Sequence, residues 1–336
     1  MIHKKTIRRV AFGAALCATA MAAQAQTEFV PYGNLDWSYG RFEPSGLYRE
    51  NRVNSNSLSA SFVGASLKRG FDDGWTVGAN IETFLRFQDL KTGRRDSDPP
   101  LSRNAFVSVA SNYGSVRVGR LQSYLFDTTT RFNAFGNSFA VGPAIRHIFG
   151  SGNLEGVQGD FYWNRAVSYT TPNWEGVTGN VMVARGGNDV EGDYAAGNIV
   201  ISRGLLAVAV SVQNVHINDG IADPTDETTW QLGATYNFGW ARLFGLYTET
   251  HDRGLEVKSH IASAGASVPL GPGTVLAQIG YTTATGPAVD RKHTSTSLGY
   301  VYPYDSRTDL YVLGMDDRVK GQTNGLTLAT GVRFRF

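Results

Sequence analysis

The chain has a single cysteine, Cys17, and it falls in the first 25 residues. The remainder therefore has no disulfide framework, thiolate metal site or cysteine nucleophile to draw on. The one long apolar run, Val10 to Ala22, is shorter than the roughly 18 residues needed to span a bilayer as a helix. No Pro-rich, Gly/Ser-rich or charged linker divides the chain, so one domain is the simpler organisation. No basic run occurs outside the N-terminus, which leaves nucleic-acid binding without support. His147, His216, His251, His260 and His293 are scattered, with no close pair and no Gly-x-Ser-x-Gly nucleophile motif. Catalytic residues, metal sites and cofactors are accordingly not expected, and Asp223, Asp226 and Glu227 read as solvated loop charges.

What is present begins with an export signal. Lys4, Lys5, Arg8 and Arg9 precede the apolar run, and Ala23-Gln24-Ala25 supplies a small-x-small cleavage site. The reading is a cleaved signal peptide over residues 1–25 and a mature domain over 26–336. Leu16 stands before Cys17 where a lipoprotein signal needs a small residue, so lipidation is not expected. Removing the signal leaves 27 basic residues against 29 acidic ones, a formal charge of −2 in place of +2.

The mature chain is rich in turn formers and β-favouring aromatics, with 39 Gly, 18 Phe, 15 Tyr and 6 Trp in the whole sequence. Several segments alternate over membrane-spanning length. Trp230, Leu232, Ala234, Tyr236 and Phe238 oppose Gln231, Gly233, Thr235 and Asn237. Thr294, Thr296, Leu298, Tyr300 and Tyr302 oppose Ser295, Ser297 and Gly299, and the segment from Trp75 to Phe87 behaves alike. Successive strand residues point to opposite faces, so each segment has one apolar face and one polar or small face.

Alternation alone also fits a soluble sandwich, and the connections discriminate. Short turns fall near 70–74, 111–114, 173–176, 202–204, 239–240, 269–273 and 303–306. Mostly longer polar connections fall near 40–54, 89–100, 122–161, 186–192, 217–228, 252–256, 285–292 and 317–323. Seven short and eight longer connections in alternation join sixteen strands. Short turns at one end and long loops at the other mark a transmembrane barrel, which satisfies every backbone group by closing on itself. Tyr300, Tyr302, Phe238 and Trp240 near strand ends fit interfacial girdles.

Several stretches, weak singly, occur together and in order: Val30-Pro31-Tyr32-Gly33, Arg103-Asn104-Ala105-Phe106-Val107, Gly114 to Leu121 with Tyr124 and Asp127, Asn164 to Gly176, Asp305 to Tyr311, and Gly331 to Phe336. In these the chain resembles the trimeric general porins of Gram-negative bacteria, most closely the β-proteobacterial branch, over essentially the whole mature length. The resemblance implies an all-β, sixteen-stranded antiparallel transmembrane barrel, a homotrimer in outer-membrane lipid and lipopolysaccharide, and a long third loop folded into the lumen. It further implies passive diffusion of ions and small hydrophilic solutes. The 122–161 connection is far longer than ordinary ones, and Phe126, Phe132, Phe135, Phe139, Val141, Ile145, Ile148 and Phe149 make it too apolar to be solvated.

Charge near the narrowest ring sets a diffusion channel's preference. Arg120 matches the family's basic wall position. Strict alternation would turn it toward lipid with Val116 and Val118, so that role requires a bulge, for which Gly119 is suited. Phe62-Val63-Gly64 and Asn34 replace sites that are often basic in relatives. Arg86 and Arg117 have inward parity and could substitute, while Arg165 lies at a strand start where parity is unreliable. The loop carries Asp127, Glu155 and Asp160 against Arg131 and Arg146, and Phe135-Gly136-Asn137-Ser138-Phe139 stands where relatives place an acidic run. A weakly anion-preferring constriction is the expectation. Phe334 and Phe336 match the terminal signal read by the barrel assembly machinery, with Arg333 and Arg335 on the inward face. The alternatives are a substrate-specific channel, for which Phe84, Phe106 and the loop aromatics leave room, and a barrel enzyme.

Overall fold

A computed structural model describes residues 27–149, 156–185, 191–218 and 225–336. The first part contains β1 (Thr27–Phe42), β2 (Glu50–Ser55), β3 (Phe62–Gly70), β4 (Thr76–Arg86), β5 (Lys91–Thr92), β6 (Ala105–Ser111) and β7 (Gly114–Gln122). Two short helices follow, α1 (Tyr124–Arg131) and α2 (Pro143–Phe149). Then come β8 (Tyr162–Thr170), β9 (Val177–Arg185), β10 (Glu191–Arg203), β11 (Leu206–Asn218), β12 (Thr225–Asn237) and β13 (Arg242–Asp252). The chain ends with β14 (Val257–Leu270), β15 (Gly273–Gly286), β16 (Val289–Pro303), β17 (Thr308–Val319) and β18 (Gly325–Arg335).

Every strand pairing is antiparallel between neighbours, and β18 returns to β1 from Asn34↔Arg335 to Arg41↔Leu328, so the sheet closes. The two extra segments have local causes. The two-residue β5 pairs only with the end of β4, in a loop hairpin. β2 and β3 are one stave of the wall, interrupted at 56–61, and both pair with β1. The Asp36 carboxylate explains the break: it collects the backbone N–H groups of Ser57 at 2.8 Å and Ser59 at 3.0 Å, and the Tyr311 hydroxyl at 2.8 Å. Those amides are spent on Asp36 and cannot join the ladder. The wall therefore has sixteen strands.

The burial pattern is inverted relative to a soluble sheet. Along β12, Trp230 is 39% and Leu232 43% exposed, whereas Gln231 and Thr229 are fully buried. The same inversion holds for Leu298 between Ser297 and Gly299, and for Val210 and Val212 beside Ser211. An apolar exterior and a polar interior cost free energy in water and are what a hydrocarbon surround requires. Residues 1–26, where the signal peptide was read, lie outside the described residues.

Candidate functional site

The 123–161 connection carries both helices, and its described part packs on the inner face of β10–β17. Ser123 caps α1 by accepting the Phe126 N–H, and α2 starts on Pro143, whose missing donor costs nothing there. Thr128 bonds Ser211 at 2.6 Å, Gln231 donates to Thr129 at 2.9 Å, and Ser297 donates to the Val141 carbonyl at 2.6 Å. His147 is held at both ring nitrogens, by Thr282 at 2.6 Å and Ser295 at 2.9 Å. Its ring lies on His293, with centroids 3.9 Å apart and planes at 12°.

Glycines on the wall make room for this packing. A Cβ at Gly233 would come 2.6 Å from the Phe132 ring, one at Gly280 2.9 Å from Pro143, one at Gly265 3.2 Å from Ala134, and one at Gly299 3.2 Å from Phe135. All four belong to the inward-facing set of β12, β14, β15 and β16, so the loop lies in a groove of missing side chains.

A basic cluster adjoins the aromatic residues of the connection, with Arg94, Arg103 and Arg120 stacked on Phe161, Phe84 and Tyr162. The β7–β8 register shifts between Gly119 and Leu121, with Gly119 at φ 144°. A side chain at Gly119 would collide with the Ala105 carbonyl. The bulge turns Arg120 inward, where it donates to the Ser102 carbonyl at 3.0 and 3.1 Å, to Asn164 at 2.8 Å and to Asp160 at 3.3 Å. Arg94, from the connection after β4, grips the same carboxylate with bonds of 2.8 and 2.7 Å and stacks on Phe161 at 4.5 Å. Burial opposes both charges of this pair, but their hydrogen bonds outweigh it. The Asp160 carboxyl lies below and the Arg94 guanidinium above its ordinary value. Arg103 lies over Phe62 at 3.7 Å and pairs with Glu82 at 3.3 Å.

A closed, inside-out barrel with a loop packed on its inner wall is a pore architecture, and sequence comparison decides the family. A model of the Gram-negative porins matches residues 13–322. The chain belongs to the Gram-negative porins. Outer membrane porin protein 32 of Delftia acidovorans is 28% identical over 88% of this chain and 86% of its own length. The anion-selective porin from Comamonas acidovorans superposes with a TM-score of 0.77 at 24% identity, covering 93% of this chain and all of that one. OmpT of Vibrio cholerae gives 0.73 at 14% identity, covering 94% and 99%. This porin is thus an outer-membrane channel of the β-barrel class.

The residues singled out from the sequence are dispersed in the porin. Arg120 and Asp160 meet, as described. Arg117 lies over Phe106 at 5.4 Å and lines a cavity of 430 Å³ together with Asp127 of α1. Arg131 reaches Ser202 at 2.8 Å, and Arg146 pairs with Asp317 at 3.2 Å. Arg86 sits at the end of β4, engaged by Asp89 and Asp96 of its own loop. Arg165 adopts φ 50° and lines a recess with Val167 and Val183, which face outward. Glu155 lies outside the described residues. Arg333 and Arg335 converge on Asp309 at 2.6 and 2.8 Å. Phe336 exchanges backbone bonds with Gly33 at 3.0 and 3.2 Å, and its ring lies 6.0 Å from that of Phe334.

Sequence reasoning missed Arg94, the Asp36–Tyr311 contact and the His147–His293 stack. The loop's apolar content pointed only to packing against the inner wall.

Proposed function

We propose that this porin conducts ions and small hydrophilic solutes by passive diffusion, with a weak preference for anions. In this reading the 123–161 connection narrows the lumen. The constriction runs between that loop, with Asp127, Arg131, Arg146 and Glu155, and a wall to which Arg117 and Arg120 contribute directly and Arg86 and Arg165 by long-range field. The observation that carries the charge preference is the pairing of inward carboxylates. Asp160 is held by Arg94 and Arg120, Asp309 by Arg333 and Arg335, and Asp317 by Arg146 and His293. At Asp309 two guanidiniums share one carboxylate, and that excess supports a positive field in the water-filled lumen. Screening over roughly 10 Å at 0.1 M salt keeps the preference modest.

The similar Comamonas acidovorans protein is described as an anion-selective porin, in line with this reading. The same reading includes cleavage after Ala25, a homotrimer seated in outer-membrane lipid and lipopolysaccharide, and recognition of Phe334 and Phe336 by the barrel assembly machinery. A Vibrio cholerae relative of the same fold is described as a trimer form, which supports the oligomer. The test is the reversal potential of the purified protein in a planar bilayer under a potassium chloride gradient. The expected sign is chloride preference, and a clear potassium preference would overturn the assignment.

A further inference from the structure

Many inward charges of the barrel are spent on one another, but Arg117 and Asp127 are not. Among the described residues, neither the Arg117 guanidinium nor the Asp127 carboxylate has a hydrogen-bond or ion-pair partner, and both are exposed. They line the same 430 Å³ recess between α1 and the inner faces of β4 and β6–β9. Arg117 is steadied by the Phe106 ring beneath it, and Asp127 is presented from the first turn of α1. Asn80 lines the recess too. Its amide nitrogen donates to the Tyr32 hydroxyl at 2.6 Å, but its carbonyl oxygen is buried with no donor. The apolar part of the lining is Phe106, Leu121 and Met182.

A guanidinium free to take a carboxylate, a carboxylate free to take an ammonium, and an apolar ring beside them define one chemistry. We propose that this recess is a binding site for zwitterionic α-amino acids with apolar side chains, so that the channel favours them over solutes of single charge. Arg117 holds the α-carboxylate. Asp127 holds the α-ammonium, and the side chain rests on the half-buried Phe106. A volume of this order suits a ligand of that size and leaves water around it, so residence is brief, as a conducting pathway requires. The proposal rests on the channel reading and names a substrate class for it.

The test uses ion-current block of the purified protein in planar bilayers. L-leucine is compared with 4-methylpentanoate, which lacks the ammonium, and 3-methylbutylamine, which lacks the carboxylate. Leucine is expected to block saturably, and either fragment several-fold less. Arg117→Gln and Asp127→Asn should each weaken leucine block roughly tenfold relative to the variant's own open current, the worth of one hydrogen bond to a charged group. If a variant fails to fold, the three-compound comparison on the parent protein still decides. Equal block by leucine and its fragments, or undiminished block in both variants, would overturn the recess while leaving the channel reading intact. Absence of any potassium chloride current would overturn both.

Discussion

The groove of glycines makes Gly233→Ala the most informative single substitution. Its backbone φ is not in the left-handed region, so alanine meets no conformational penalty, and the whole effect comes from contact. The added Cβ would lie 2.6, 2.7 and 2.9 Å from three carbons of Phe132, whereas carbon atoms pack best at about 3.5–4.0 Å. Phe132 must therefore retreat by about 1 Å. It is itself 1% exposed, in a cluster with Ala144, Ile148, Val200, Ala209, Leu246 and Ile261, so nothing near it is free to yield. Overpacking of this kind costs about 1–3 kcal/mol, and the buried surroundings point to the upper half of that range. Gly245→Ala, on the next strand, is the matched control, because a Cβ there meets nothing within 4 Å. Calorimetry in detergent should show Gly233→Ala melting several degrees lower while Gly245→Ala holds or gains slightly. Single-channel conductance should move only in Gly233→Ala, since the loop is displaced from the wall. Equal melting and equal conductance in both variants would refute the idea that these glycines seat the loop.

Three further outcomes follow from the same geometry. Burial, then the neighbouring His293 and Arg146, hold the His147 imidazole well below the ordinary histidine value, with Asp317 opposing them and Arg291 adding to them. The unfolded chain therefore takes up that proton first. Stability should be flat above about pH 7 and fall as pH drops below about 6.5, by at most about 1.4 kcal/mol per unit, and a His147→Gln variant with the same acid slope would count against this. Asp160→Asn removes the charge between Arg94 and Arg120. It should increase chloride preference in a reversal-potential measurement and cost on the order of 1–3 kcal/mol, the partial exposure of Arg94 and Asp160 discounting the buried-pair value. Deleting Phe336 breaks two closing backbone bonds with Gly33, about 1 kcal/mol each, and unseats its ring from Gly33. The yield of folded barrel should fall in refolding assays, and an unchanged yield would argue against the terminal strand's role.

The barrel was legible because a period of two is a local signal. Trp230 to Phe238 and Thr294 to Tyr302 carry it without reference to the rest of the chain, and turn residues mark one end of the wall. Legibility fails where the period breaks. Arg120 could be turned inward only by allowing Gly119 to insert a bulge, and Arg165, at φ 50°, follows neither parity. The interruption at 56–61 was invisible because its cause, Asp36, takes a bond from Tyr311, which is 275 positions away. Arg94 and Asp160 are 66 apart, both on connections that have no periodicity to read. Arg86 has the right parity but a different fate, since Asp89 and Asp96 of its own loop pair with it.

These failures share a physical origin, and it bears on how the pore is held at one width. A barrel lined with serine, threonine and glycine has little apolar surface to bury on its inside, so the loop must bring its own. Among the described residues, three of the four hydrophobic clusters contain buried loop residues: Phe132, Ala144 and Ile148 in one, Phe135 and Val141 in another, Phe126 and Ile145 in a third. In the proposed reading, the side chains of the connection that narrow the lumen are also the ones that anchor it, and the loop cannot move off the wall without exposing them. Of the wall arginines Arg117 is exposed, whereas Arg120 is buried against Asp160 of the connection itself. Substitutions under the loop should therefore change stability and conductance together, as Gly233→Ala is expected to do. Substitutions among Arg117, Arg120 and Asp160 should weigh more on the sign of the ion preference.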